Sequence, residues 1–179
     1  WLIQHGELWG ATAETAVWTD LAEVLRRTYD GLPVKWAFVD SGFRPGKKEM
    51  LPLNRVYDFC RRHRTFVHAS KGSSTPMTKP LVVSRIEVEQ DGKADAYGLD
   101  LVRLDSGYWK GFVQDRLRWP VDQPGAFHLS QDATDDYCQA LVSEAPTRKP
   151  GGGWIWVQRS RNNHFLDCEA MAAAAGYLA

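Results

Sequence analysis

An α/β fold is predicted for this chain, because short apolar runs alternate with amphipathic stretches along its whole length. Two further observations support that class. The apolar run Val34–Val39 ends abruptly in Asp40-Ser41-Gly42, as a buried strand does where it meets a polar turn. The apolar residues Val17, Leu21, Leu25 and Tyr29 recur at helical spacing. The expected architecture is a mostly central sheet flanked by helices, in a single domain over residues 1–179.

The elements follow in order. Trp1–Trp9 reads as a strand ending at Gly10, and Glu14–Tyr29 as an amphipathic helix stopped by Gly31 and Pro33. Residues 44–52 form a loop rich in Lys, Gly and Pro, after which Asn54 can cap a helix to Arg62. Thr65–Ala69 is a strand, and Ser73–Pro80 a small, polar, mobile loop. Leu81–Gln90 alternates as a strand does, and Asp91-Gly92 is a hairpin turn signal. Leu99–Leu104 is a further strand. Helices are expected over Tyr108–Leu117 and Asp132–Glu144. Gly151-Gly152-Gly153 is a flexible link before a strand over Trp154–Gln158, and an Ala-rich helix runs from Asn163 to Leu178.

Composition bounds the function. An apolar fraction of 44% and a charged fraction of 25% in 179 residues suit a globular domain with a full core. No apolar run reaches the roughly 18 residues that span a bilayer. The N-terminus lacks the basic start and cleavage site of a signal peptide. It opens without Met into strand-like sequence, so a fragment of a larger protein is expected. Net charge is zero, where nucleic-acid binders are usually basic. The basic residues nevertheless cluster: Arg61, Arg62, His63 and Arg64; Arg44, Lys47 and Lys48; and Arg148, Lys149, Arg159 and Arg161 around the last strand. The bland reading of each cluster is solvated surface. Cys60, Cys138 and Cys168 are far apart, form no C-x-x-C pair, and read as buried thiols of a reducing compartment rather than zinc ligands. No Gly-x-Ser-x-Gly elbow and no phosphate-binding Gly-x-x-x-x-Gly-Lys-Ser/Thr loop is present, which disfavours a serine hydrolase and a nucleotide-driven motor.

Two carboxylates stand out. Asp40 lies at the carboxyl end of an apolar strand, where open α/β sheets bind ligands, and either holds a hard cation or caps its own turn. Asp167 lies one turn into the last helix, three residues after His164, with small alanines beyond it that let the helix lie close to a sheet. Its plain alternative is a favourable charge near a helix N-terminus. Carboxylates converging on a pair of divalent cations are the requirement for two-metal phosphodiester cleavage, and oxygen ligands are those Mg²⁺ and Mn²⁺ prefer. Lys71 or Lys79 could stabilise charge on the phosphate. Asp105 fits helix capping better than catalysis, Glu144 a solvated helix terminus, and His128 a satisfied core histidine.

The ordered set Phe38-Val39-Asp40-Ser41-Gly42, Val56-Tyr57-Asp58-Phe59, Ser70-Lys71-Gly72, Lys79-Pro80, Lys110, Phe127-His128-Leu129 and Arg161-Asn162-Asn163-His164-Phe165-Leu166-Asp167-Cys168 resembles the nuclease domain of lambda-type phage terminase large subunits. The resemblance covers nearly the whole chain. It implies a ribonuclease H-like mixed sheet flanked by helices, divalent metal (Mg²⁺ or Mn²⁺), and cleavage of concatemeric double-stranded phage DNA during packaging. It implies catalytic roles for Asp40, Asp167 and Lys79, and metal binding by Asp40 and Asp167 with His164 where the family usually has Glu. It also implies that the family's first catalytic Asp, and the first strands of the sheet, precede Trp1. The implied partners are duplex DNA, the terminase small subunit, the portal protein and an ATPase motor domain of the same polypeptide, in the cytoplasm of the infected bacterial host. The alternatives are a DNA-holding or docking module whose chemistry has lapsed, and a structure-selective, resolvase-like nuclease.

Overall fold

The computed structural model describes residues 1–42, 51–90 and 93–179, apart from the side chains of 51–54, 88–90 and 93–97. The basic cluster of Arg44, Lys47 and Lys48 and the Asp91-Gly92 turn fall outside what is described, whereas the helix Leu51–Arg62 begins three residues before Asn54, so Asn54 lies within it and is not its cap. The chain divides into two compact units: residues 7–72, 81–104 and 175–179 form one, and residues 1–6, 73–80 and 105–174 the other.

The first of these, the sheet unit, opens with α1 (Ala16–Arg26). A two-residue ladder follows, β1 (Thr28–Tyr29) against β2 (Leu32–Pro33). Its turn is Asp30-Gly31, both at positive φ, the conformation a tight hairpin demands and one glycine adopts without strain. The main sheet has strands β3 (Ala37–Asp40), β4 (Val67–Ser73), β5 (Leu81–Gln90) and β6 (Lys93–Asp105), in the order β3-β4-β6-β5. The sheet is mixed: β3 and β4 run parallel, with Asp40 opposite Ser70, whereas β5 and β6 run antiparallel from Leu81 opposite Leu104 to Gln90 opposite Lys93. The crossover from β3 to β4 carries α2 (Leu51–Arg62), as a parallel pair requires. The core gathers Ala22 of α1, Val56, Phe59 and Cys60 of α2, and Val67, Ala69, Leu99 and Leu101 of the sheet. Burial pushes the Cys60 thiol up to about 12, so it is an inert packing residue.

The second, helical unit contains α3 (Ser106–Arg118), α4 (Asp135–Leu141), the hairpin β7 (Glu144–Arg148) with β8 (Trp154–Gln158), and α5 (His164–Leu178) as far as Ala174. Asp105 caps α3 as expected: Oδ1 accepts from the Tyr108 amide at 2.9 Å, and Oδ2 accepts from the Met77 amide at 2.8 Å. Tyr137 and Leu141 of α4 are buried with Leu2. On α5 the inward stripe is Leu166, Ala170 and Ala174, spaced four apart, which keeps that face narrow. Among the described residues, no helix is long and apolar enough to cross a membrane.

Several expectations are corrected. Trp1–Trp9 forms no strand; Leu2 donates one backbone hydrogen bond to the His128 carbonyl at 2.8 Å, and Trp1 packs on the His128 ring. Apolar content without a pairing partner does not make a strand. The helix expected over Asp132–Glu144 stops at Leu141, and Glu144 instead begins β7. Gly152 and Gly153, both at positive φ, turn the β7–β8 hairpin rather than link two elements. Cys138 is half-buried and Cys168 exposed, because Cys168 lies off the inward stripe of α5.

Candidate active site

Asp40 ends β3 in the sheet unit. The next residue, Ser41, is buried and locks this strand end to β4: its amide and its hydroxyl both donate to the Ser70 carbonyl, at 2.7 and 2.8 Å. The chain then turns, and the Gly42 amide donates to Asp40 Oδ1 at 2.8 Å. A Cβ on Gly42 would stand 3.0 Å from that same oxygen, so glycine lets the turn close on the carboxylate. Asp40 is exposed, and Oδ2 has no protein partner among the described residues. The turn-capping reading of Asp40 thus holds through one oxygen, in a residue that is exposed.

Asp167 belongs to the helical unit and sits in a network of four side chains. Lys110 of α3 is 8% exposed, and its ammonium donates to Glu144 Oε1 and to Asp167 Oδ1, both at 2.8 Å. Asn163, immediately before α5, repeats the bridge with its amide nitrogen, donating to Glu144 Oε1 at 2.6 Å and to Asp167 Oδ2 at 3.3 Å. Glu144 is only 7% exposed, and the side chain of Asp167 is 45% exposed. The buried carboxylate is thus satisfied from inside, while the outer one keeps a face toward solvent. Two carboxylates share one ammonium, so the cluster carries a net negative charge and its open edge is Asp167.

Backbone contacts fix this arrangement. Gln114 lies one helical turn beyond Lys110 and donates its amide to the Glu144 carbonyl at 2.7 Å and the Leu141 carbonyl at 3.4 Å. The Arg159 amide, just past β8, donates to the Ser143 carbonyl at 2.7 Å. Glu144 is therefore placed by the bend from α4 into the hairpin, and the expectation of a solvated helix terminus is overturned. Lys110 and Glu144 are the members that sequence reading left without a role. Lys110 stands in the family resemblance without an assigned role, and Glu144 ranks below Asp40 and Asp167 in the sequence because its expected helix-terminus setting favours plain solvation.

The remaining candidates are more open. His164 is exposed at the first position of α5 and makes no hydrogen bond or ion pair among the described residues. Lys79 is also exposed. Its loop is anchored on both sides, by the Met77 amide on Asp105 and by the Pro80 carbonyl, which accepts from the Asp105 amide at 3.0 Å and the Trp109 indole at 2.9 Å. Lys71 is exposed on β4. His128 is half-buried against Trp1.

Each unit taken by itself holds a carboxylate of the ligand type Mg²⁺ and Mn²⁺ take: Asp40 is exposed with one oxygen unpartnered among the described residues, and Asp167 is half-exposed with its oxygens accepting from Lys110 and Asn163. Among the described residues, no three His, Cys, Asp or Glu side chains form a ready-made metal cluster. In the helical unit Lys110 is shared equally by Glu144 and Asp167, and of the two carboxylates Asp167 is the more exposed.

No curated protein and no solved structure matches the chain. The family described as terminase large subunit gpA, endonuclease domain, matches over residues 1–179. With its whole length covered, the chain belongs to the endonuclease domain family of the terminase large subunit gpA.

Proposed function

We propose that the chain is a divalent-metal-dependent endonuclease that cuts double-stranded concatemeric phage DNA during genome packaging. The observation that carries this reading is the Lys110–Glu144–Asn163–Asp167 network, a hydrogen-bonded set of side chains with one more carboxylate than ammonium that holds one half-exposed carboxylate in a chain of the terminase endonuclease family. Family membership supports a ribonuclease H-like fold, and the mixed sheet with its parallel β3–β4 pair is compatible with it. The match across both compact units supports reading residues 1–179 as one nuclease domain.

In the mechanism, Asp40 and Asp167 are the cation-holding carboxylates, and His164, one turn before Asp167, is an accessory partner. The cation, Mg²⁺ or Mn²⁺, supplies Lewis-acid stabilisation of negative charge on the scissile phosphate when bound. The Gly42 amide fixes the orientation of the Asp40 carboxylate. Lys110 and Asn163 are positioning residues that fix Asp167 through their hydrogen bonds to its two oxygens. Lys79 stands on an anchored loop and offers positive charge to the phosphate oxygens as they gain negative charge. The proposed partners are the terminase small subunit, the portal protein and an ATPase motor domain of the same polypeptide, in the cytoplasm of the infected bacterium.

Plasmid nicking in Mg²⁺ or Mn²⁺ tests this. Asp40→Asn and Asp167→Asn should each slow nicking by at least about a hundredfold, the scale of disturbed metal sites, with folding intact. Undiminished nicking by either variant removes that residue from the mechanism. A parent chain that binds duplex but never nicks it would be a DNA-holding module instead. Preference for branched over linear duplex would mark a resolvase-like nuclease.

A further inference from the structure

The helices α1 and α2 of the sheet unit enclose a cleft of about 190 Å³ that the catalytic reading does not use. Its chemistry is lopsided. Arg26 enters from the last turn of α1, and Arg55 and Arg62 from one face of α2, where residues seven apart align. Among the described residues, none of these three guanidinium groups is paired with a carboxylate. The one acid in the lining, Asp58, already lies 3.7 Å from the Arg61 guanidinium. The inner wall is aromatic: Trp18 packs on Phe59 at 5.3 Å between ring centres, and Phe59 on His63 at 4.7 Å. Burial, then the charges of Arg26 and Arg62, hold His63 below its ordinary value. A further cation is thus disfavoured in a cleft already crowded with positive charge, and an arriving anion would relieve that crowding.

We propose that this cleft is a backbone-binding site for duplex DNA, in which Arg26, Arg55 and Arg62 contact phosphates independently of base sequence. Guanidinium groups match phosphate oxygens in fork geometry, and duplex DNA presents about one charge per 1.7 Å of its axis. The cleft is shallow and walled by helices, which suits a passing phosphate backbone rather than an enclosed small molecule. Of the run Arg61–Arg64, which alone reads as solvated surface, Arg62 gains this role because α1 brings Arg26 to the same cleft. The choice of DNA over another polyanion rests on the endonuclease reading; the anion site itself does not.

Fluorescence anisotropy of a short labelled duplex in EDTA separates binding from cutting. The intact chain should bind. The double variant Arg26→Gln/Arg62→Gln should bind at least about tenfold more weakly, and its slope of log affinity against log salt should fall by about 2, one per lost phosphate contact. Arg26→Lys/Arg62→Lys, which keeps the charge, should keep the slope. Arg118→Gln, exposed on α3 and paired with Asp115, should change nothing. Unchanged affinity and slope in the Gln pair, a loss the Lys pair does not restore, or no binding by the parent chain would each overturn the site. A parent chain that binds through the cleft yet does not nick with metal present would uphold the site and sink the endonuclease reading alone.

Discussion

Asp40 and Asp167 are both outward-facing carboxylates, held by opposite means. Asp40 is held by backbone: a strand end pinned by Ser41 on Ser70, and a turn closed by the Gly42 amide. Asp167 is held by side chains that converge from α3, β7 and the start of α5. The first arrangement is local and involves no buried charge. The second places Lys110 and Glu144 out of solvent, where each depends on the other. The lesson is one of cost: a turn positions a carboxylate at almost no risk to the fold, whereas an ionic network couples positioning to stability.

This contrast can be broken most sharply at Lys110. Lys110→Met strips the buried Glu144 of its cation and should cost about 3–5 kcal/mol of stability, read by chemical denaturation. A loss below about 1 kcal/mol would mean that solvent or rearrangement satisfies Glu144, and the network would not be the anchor described. Asn163→Ala removes a donor shared by both carboxylates and should cost about 1.5–3 kcal/mol, the range for hydrogen bonds to charged groups. Gly42→Ala sharpens the other side of the comparison. Its Cβ would press on Asp40 Oδ1, so nicking should fall about tenfold, a fraction of the penalty for a full ångström of misplacement. Its stability should stay within about 0.5 kcal/mol of the parent, as for an exposed position. Full activity in Gly42→Ala would show that the turn does not set the carboxylate's position.

The same contrast explains what was legible in the sequence. Asp40 was visible because its signal is contiguous: an apolar strand, then Asp-Ser-Gly. The Asp105 cap was equally local, as were the helices, whose apolar residues repeat along one face. The Lys110–Glu144 pair joins residues 34 positions apart, and no periodicity records such a meeting. The strand β7 was hidden for a related reason. Glu144-Ala145-Pro146-Thr147-Arg148 lacks β-branched alternation and carries a proline, and it is a strand only because β8 pairs with it. Trp1–Trp9 erred the other way, rich in apolar residues yet without a ladder to join. The arginine cleft required two helices to be placed side by side before its parts could be seen as one surface.

The buried ammonium of Lys110 has one more consequence. It is a counter-ion that the polypeptide supplies to itself, so the carboxylates of the helical unit do not have to wait for an ion from solution before that unit can fold. Many small metalloproteins collapse when a chelator strips their metal, because assembly and metal capture are the same event. Under the proposed metal-dependent reaction the two would be separable, and affinity for a divalent ion would be free to serve turnover rather than architecture.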